Sequence, residues 1–124
     1  MIVTGGSRGI GAATARLAGE RGYDVCVNYH RDADAAAAVV ADVEKAGRRA
    51  IAVAGDMGSE QDVLNLFETS DAELGRPKVL VNNAGILSTQ ILVDLFVNGN
   101  NPFRANQMKA KCPVIYDKKI QKSV

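Results

Sequence analysis

The strongest constraint on the fold is an alternation of short apolar runs with longer amphipathic segments along residues 1–90. The apolar runs suit buried parallel strands and are Ile2-Val3, Val25-Cys26-Val27, Ile51-Ala52-Val53 and Val79-Leu80-Val81. The segments between these runs repeat apolar residues at helical spacing. Because parallel strands need crossover connections, the helices must cover both faces of one sheet. The sequence therefore predicts an α/β fold with a doubly wound parallel sheet.

The helical segments also predict which side chains face the sheet. Each segment ends at a glycine suited to a left-handed helix terminus, namely Gly22, Gly47 and Gly75. Ser59, with Asp62 three residues later, resembles a capping box at the start of the third helix. The predicted inward faces are, in chain order, Ile10, Ala13, Leu17 and Ala18, then Ala36, Val39, Val40 and Val43, and then Val63, Leu66, Phe67 and Leu74.

Length and composition indicate one globular domain. The 124 residues fall below the roughly 150 of an average domain. Hydrophobic residues at 47% and charged residues at 23% exclude a disordered or fibrous chain. A formal net charge of +1 is too small to attract nucleic acid or an anionic membrane. We therefore expect no nucleic-acid partner.

Other features argue against export, membranes and metals. The apolar stretches at 35–41 and 91–97 are shorter than the ~18 residues of a membrane span, and the N-terminus lacks the regions of a signal peptide. Cys26 and Cys112 lie far apart and outside any Cys-x-x-Cys pair, so neither a disulfide framework nor a zinc site is indicated. His30 is the only histidine and has no carboxylate cluster around it in the sequence. These features predict a reducing, cytoplasmic location without a metal centre.

The composition changes abruptly near residue 90. Residues 1–90 contain two lysines and sixteen alanines, whereas residues 91–124 contain five lysines and two alanines. We interpret residues 1–90 as the folded domain and residues 91–124 as a divergent, irregular C-terminal tail of unknown structure. Two explanations stay open, a polar extension or a junction such as a frameshift, an alternative exon or a fusion.

The first predicted strand leads into a glycine-rich turn, Thr4-Gly-Gly-Ser-Arg-Gly-Ile-Gly11, that opens a helix. Gly5 permits a tight turn, Gly9 carries no Cβ that would block a pyrophosphate, and Gly11 lets the helix pack closely. The helix N-terminus supplies free N–H groups and a partial positive charge. This context predicts a dinucleotide site, with a ligand-free glycine turn as the alternative.

The same turn, with Asp56 after the third predicted strand and Asn82-Asn-Ala-Gly85 after the fourth, resembles the short-chain dehydrogenase/reductase family. The resemblance covers residues 1–90 and implies a Rossmann-like domain that binds a nicotinamide dinucleotide. Carried over by position, the pyrophosphate role falls on Gly5, Ser7, Arg8, Gly9, Ile10 and Gly11. The adenine role falls on Asp56 and Met57. The nicotinamide role falls on Asn82, Ala84 and Gly85. The alternatives are that Asp56 only supports a turn and that Asn82-Asn83 only locks two strands together.

The end of the second predicted strand favours NADP over NAD. Selection of NAD usually needs a carboxylate at this tip, whereas here the chain reads Val27-Asn-Tyr-His-Arg31. Asp32 is better explained as a helix N-cap. Arg31 and Arg8 are suited to charge-assisted contacts with a 2′-phosphate, and His30 adds a possible donor. The alternative is that Arg31 is only solvated.

The sequence does not contain the catalytic tyrosine–lysine pattern of the short-chain dehydrogenase/reductase family. That family has a tyrosine four residues before a lysine, whereas Tyr116 precedes Lys119 by three and Ile120 occupies the fourth position. Asn98, followed by Gly99, is better read as a turn than as the family's asparagine. No catalytic residue is therefore assigned.

We expect an incomplete, truncated sheet of about four strands whose exposed edge favours self-association or docking to a full-length relative. The lead hypothesis is the cofactor-binding half of an NADP-dependent oxidoreductase of alcohols or carbonyls, with no catalysis by the 124 residues themselves. The alternatives are a non-enzymatic dinucleotide-binding or interaction module, and a truncated product without function.

Overall fold

The structure is a computed structural model that describes residues 1–85. Strands and helices alternate throughout this part of the chain. In chain order the elements are β1 (Ile2–Val3), α1 (Gly9–Glu20), β2 (Val25–Tyr29), α2 (Ala33–Lys45), β3 (Ala50–Ala54), α3 (Glu60–Leu74) and β4 (Leu80–Val81). The predicted tail, with the apolar stretch at 91–97, Asn98 and Tyr116, lies outside the described residues.

The strands form one parallel sheet in the order β3-β2-β1-β4. Ile2 in β1 is in register with Cys26 on one side and Leu80 on the other. The chain therefore steps outward from β1 through β2 to β3 and then returns to the opposite side of β1. This reversal defines a Rossmann-like doubly wound sheet and confirms the predicted fold class.

Alternate residues of the strands point to opposite faces of the sheet, and each face has its own core. Val3, Val25 and Val27 pack with buried residues of α1 and α2 on one face. Ile2 and Cys26 pack with Val53 and with Leu66 of α3 on the other. Helices thus cover both faces, as right-handed crossovers require.

The predicted inward face of α1 is wrong except at Ala18. Ile10 is 80% exposed and Leu17 is 50% exposed, and Ala13 also faces solvent. The buried side of α1 consists of small residues instead, and these are Gly11, Ala12, Ala15, Ala18 and Gly19. Small residues let the helix approach the sheet and α2 closely, since a Cβ on Gly19 would come within 3.0 Å of Val43 Cγ1.

The predicted faces of α2 and α3 are confirmed. Ala36, Val39 and Val43 are fully buried, and Val40 packs against them. Leu66 is fully buried, with Phe67 and Leu74 partly buried beside it. The expected N-caps are also present, because Asp32 Oδ1 accepts from Ala35 N and Ser59 Oγ accepts from Asp62 N. Each of the three helices is followed by its predicted positive-φ glycine, namely Gly22, Gly47 and Gly75.

Ion pairs connect the segments at the amino ends of the strands, on the side of the sheet opposite the carboxyl ends. The carboxylate of Asp24, just before β2, pairs with Arg48 at 2.8 Å and with Arg49 at 2.9 Å, both just before β3. Arg49 also donates to the carbonyl of Leu74 at the end of α3. The Arg49 side-chain hydrogen bond is the main reason that the pKa of Asp24 lies below its ordinary value.

No helix among residues 1–85 is long and apolar enough to cross a bilayer. Within the same residues, no group of three or more histidine, cysteine, aspartate or glutamate side chains is placed to hold a metal ion.

Candidate cofactor-binding site

The glycine turn lies at the point where the strand order reverses. Residues 4–8 leave the carboxyl end of β1, and residues 82–85 leave the carboxyl end of the neighbouring β4. The crevice outside these strand ends is where open α/β sheets bind their ligands. The fold therefore brings two of the three segments predicted as binding residues to adjacent strand ends.

The glycines of the turn have different environments. Gly5 (φ 59°) needs its positive φ, and a Cβ there would come within 2.9 Å of Ala84 Cα. A Cβ on Gly11 would collide with Asn83 Nδ2 and with the carbonyl oxygen of Gly5. Gly9 (φ 57°) also has a positive φ, but no atom of residues 1–85 lies within 4 Å of the place where its Cβ would be. Gly5 and Gly11 thus serve close packing, whereas a Cβ on Gly9 would meet no described residue.

The N-terminus of α1 is chemically unlike those of α2 and α3. Arg8 occupies the N-cap position without a side-chain capping bond, and no acidic residue stands in the first turn. By contrast, α2 and α3 each have a capping side chain and at least one acidic residue in the first turn. Within residues 1–85 the N–H groups of Gly9, Ile10 and Gly11 have no acceptor. Free N–H groups and an uncompensated helix dipole favour an anion at this position.

A buried amide at the end of β2 fixes the start of the glycine turn. Asn28 is 1% exposed. Its Oδ1 accepts from Gly5 N at 3.1 Å, and its backbone carbonyl accepts from Gly6 N at 2.8 Å. Its Nδ2 donates to Val53 O at 3.3 Å and to Gly55 O at 3.1 Å. One side chain therefore joins the turn after β1 to the turn after β3.

The turns after β1 and β4 are joined by a second set of hydrogen bonds. Thr4 Oγ1 donates to Val81 O at 3.2 Å and accepts from the backbone N–H groups of Asn83 and Ala84, each at 3.0 Å. Asn83 Nδ2 donates to Thr4 O at 3.1 Å and to Gly5 O at 3.0 Å. Asn83 thus joins the ends of β1 and β4. Asn82 and Gly85, which flank Asn83 and Ala84 in the chain, are exposed.

The third predicted segment lies after β3. Asp56 is exposed, and its Oδ1 accepts from Gly58 N at 2.8 Å while its own N–H donates to Asp62 Oδ2 at 2.8 Å. This geometry gives Asp56 a turn-forming role. Met57 is half-buried and packs against the core beside α3. Asn28 connects this segment to the glycine turn through Gly55.

The predicted 2′-phosphate contacts are at the exposed rim of the same end of the sheet. Arg8, His30 and Arg31 are exposed, and their side chains form no hydrogen bond or ion pair with other residues in the described range. Ile10 is likewise exposed, and Ser7 is half-buried. The guanidinium groups of Arg8 and Arg31 are therefore not neutralised by carboxylates of residues 1–85.

The family model for short chain dehydrogenase matches residues 1–105. The chain belongs to the short-chain dehydrogenase/reductase family. An uncharacterized oxidoreductase of Escherichia coli is 44% identical over 93 residues, which are 75% of this chain and 38% of that protein. A 3-oxoacyl-[acyl-carrier-protein] reductase of Synechocystis is 44% identical over 92 residues, or 74% of this chain and 37% of its own length. The chain thus spans less than two fifths of the length of these curated relatives.

Solved structures of dehydrogenases share the fold. A short chain dehydrogenase of Burkholderia cenocepacia in complex with NADP is 44% identical, with a TM-score of 0.72, covering 78% of this chain and 40% of that one. An acetoin dehydrogenase of Enterobacter cloacae is 40% identical, with a TM-score of 0.68, covering 75% of this chain and 38% of that one.

Three polar residues that shape this crevice were not predicted as site residues from the sequence, namely Thr4, Asn28 and Asn83. Thr4 and Asn28 are buried and Asn83 is half-buried. Their signal in the sequence is a polar residue at or just beyond the end of an apolar strand. A buried polar group there needs hydrogen-bond partners, and the neighbouring turns supply them.

Proposed function

We propose that residues 1–85 form the nicotinamide dinucleotide-binding half of a short-chain oxidoreductase that acts on an alcohol or a carbonyl compound. The observation that carries this proposal is the open space at Gly9 beside the uncapped N-terminus of α1. A pyrophosphate needs both a close approach to backbone and several unpaired N–H donors. The turn offers both at the strand reversal, where dinucleotides bind in doubly wound sheets.

The proposal assigns one segment of the chain to each part of the dinucleotide. The N–H groups of Gly9, Ile10 and Gly11 face the pyrophosphate in this proposal, with Gly5 shaping the turn and Ser7 and Arg8 beside it. Asp56 and Met57 border the adenine, and Asn82, Ala84 and Gly85 border the nicotinamide. When bound, the nicotinamide supplies or accepts hydride, and the protein's task is to orient it.

The proposal includes a preference for NADP. Arg8 and Arg31 are exposed at this end of the sheet without carboxylate partners in the described residues, and His30 lies beside Arg31. A 2′-phosphate is a partner for such guanidinium groups, whereas a 2′-hydroxyl is a much weaker one. The Burkholderia relative's complex with NADP supports the same choice.

For the 124 residues themselves we propose cofactor binding but no catalysis. None of the three tyrosines, Tyr23, Tyr29 and Tyr116, stands four residues before a lysine. Carbonyl reduction needs a proton donor whose pKa is adjusted by a neighbouring group. We therefore expect nucleotide binding without turnover by these 124 residues.

The test is a titration of the full 124-residue chain with NADPH and NADH, followed by nicotinamide fluorescence. Gly9→Asp places a carboxylate where the pyrophosphate would lie and is expected to abolish binding. The matched control is Gly47→Asp. Gly47 also has a positive φ (80°), and no described residue lies within 4 Å of its Cβ position, but it lies at the amino end of the sheet. Saturable NADPH binding by the wild type and Gly47→Asp, and not by Gly9→Asp, is the expected result. A folded wild type that binds neither nucleotide would contradict the proposal.

A further inference from the structure

Asn28 is the only described residue whose side chain contacts both the turn after β1 and the turn after β3 through hydrogen bonds. Its Oδ1 accepts a hydrogen bond from the N–H group of Gly5, and its Nδ2 donates to the carbonyl oxygens of Val53 and Gly55. This match fixes the orientation of the amide, since the flipped amide would place like groups together. The side chain is therefore a rigid bridge between the two turns.

The backbone of the same region strengthens the bridge. Gly6 N donates to the carbonyl of Asn28 at 2.8 Å, and Gly55 N donates to the carbonyl of Tyr29 at 2.9 Å. Two consecutive N–H groups of the glycine turn, those of Gly5 and Gly6, are thus held by one residue. The next N–H groups, at the start of α1, are left free for a ligand.

We infer that Asn28 is a positioning residue that sets the distance between the pyrophosphate turn and the adenine turn before the dinucleotide arrives. The inference rests on the proposed function. A dinucleotide spans both turns at once, so its affinity depends on their relative placement. Without the bridge, binding would first have to order the two turns, and that cost would appear as weaker affinity.

The test replaces Asn28 by a residue of similar size that forms no hydrogen bonds, Asn28→Leu, in the full chain. The control is Val43→Ala, which removes buried apolar volume where α2 packs against α1 and touches neither turn. Both variants are titrated with NADPH at a temperature where circular dichroism shows them folded. We expect the dissociation constant to rise at least about tenfold for Asn28→Leu and to stay within about twofold for Val43→Ala.

A purely structural role for Asn28 would lower the melting temperature but leave NADPH affinity unchanged in the folded chain, and that result would overturn the inference. Failure of the wild type to bind NADPH would instead refute the proposed function itself.

A measurement on the wild type covers the case in which Asn28→Leu does not fold. Amide hydrogen exchange in the ligand-free chain compares Gly5, bonded to Asn28, with Gly9, whose N–H has no acceptor in the described residues. If Asn28 holds the glycine turn in place before the ligand binds, the amide hydrogen of Gly5 must exchange much more slowly than that of Gly9. Equal exchange rates would show that the turn is not held by Asn28 before binding.

Discussion

Asn83 donates two hydrogen bonds to Thr4, one from its backbone N–H and one from its side-chain amide. Thr4 Oγ1 accepts from Asn83 N at 3.0 Å, and Asn83 Nδ2 donates to Thr4 O at 3.1 Å, across 79 positions of the chain. This pair joins the ends of β1 and β4, and with them the two segments proposed to border the pyrophosphate and the nicotinamide. The strand pairing between β1 and β4 is only two residues long, so these bonds contribute much of the contact between the two segments.

We expect Thr4→Val to destabilise the fold. Valine keeps the shape of threonine but leaves the N–H groups of Asn83 and Ala84 without their acceptor in a site where Thr4 is 3% exposed. A buried donor left unpaired costs roughly 1–3 kcal/mol. Urea denaturation measures the loss, with Thr14→Val as control because the Thr14 hydroxyl bonds only to Ile10 O on an exposed part of α1. Equal losses in the two variants would contradict the assignment.

Gly11→Ala is expected to lower both the stability and the nucleotide affinity. Alanine normally favours a helix over glycine by about 1 kcal/mol, so a loss here must come from its new contacts. The Cβ would meet Gly5 O and Asn83 Nδ2 and so push α1 away from the turn. Gly19→Ala is the comparison, since its Cβ meets mainly the Val43 side chain. We predict the larger loss in melting temperature for Gly11→Ala, and the reverse order would refute the packing role of Gly11.

Arg31→Glu is expected to weaken NADPH binding more than NADH binding. A carboxylate at residue 31 repels a 2′-phosphate and removes a guanidinium that would pair with it. Loss of one charge-assisted hydrogen bond corresponds to about a tenfold rise in the NADPH dissociation constant. Arg21→Glu makes the same change of charge at an exposed arginine beyond the end of α1. A ratio of NADPH to NADH affinity that falls equally in both variants would show only a general charge effect.

The stability contributed by Asp24 is expected to depend on pH. Hydrogen bonding by Arg49 lowers the pKa of Asp24 in the folded chain, so the folded state favours the carboxylate more than the unfolded state does. The contribution is therefore complete above the unfolded pKa of about 4 and is lost as the pH falls through the lower, folded pKa. Denaturation of wild type and Asp24→Asn at several pH values tests this. We expect wild type to be more stable at pH 7 and the difference to shrink as the pH falls below about 4; a constant difference would contradict it.

Much of the fold was predictable because its signals are local. The strands are short apolar runs, and the ends of α2 and α3 follow from Asp32, Ser59, Gly47 and Gly75, whose conformations depend on neighbouring residues in the chain. General rules of crossover connection then predict one parallel sheet with helices on both faces.

The face of α1 was predicted wrongly for a physical reason. Helical spacing was counted on large apolar residues, and this placed Ile10 and Leu17 inside, although they are exposed. Close packing against the sheet instead uses glycine and alanine, which carry almost no hydrophobic signal. The outward position of Ile10, next to the free N–H groups of the turn, is consistent with its proposed place at the cofactor site.

The bonds that shape the crevice were not predictable from local pattern. Thr4 and Asn83 meet only after β1 and β4 pair, and Asn28 reaches Gly55 only after β2 and β3 pair. Such contacts depend on register across the sheet, which a single sequence specifies only indirectly.

The most direct test of the proposed site is a nuclear magnetic resonance titration of the ¹⁵N-labelled 124-residue chain with NADP⁺. We predict saturable shifts of the amide signals of Gly9 and Gly11, with the signals of Gly22, Gly47 and Gly75 unchanged at the opposite end of the sheet. The absence of saturable shifts at Gly9 and Gly11 in a folded chain, or equal shifts at all five glycines, would contradict the account.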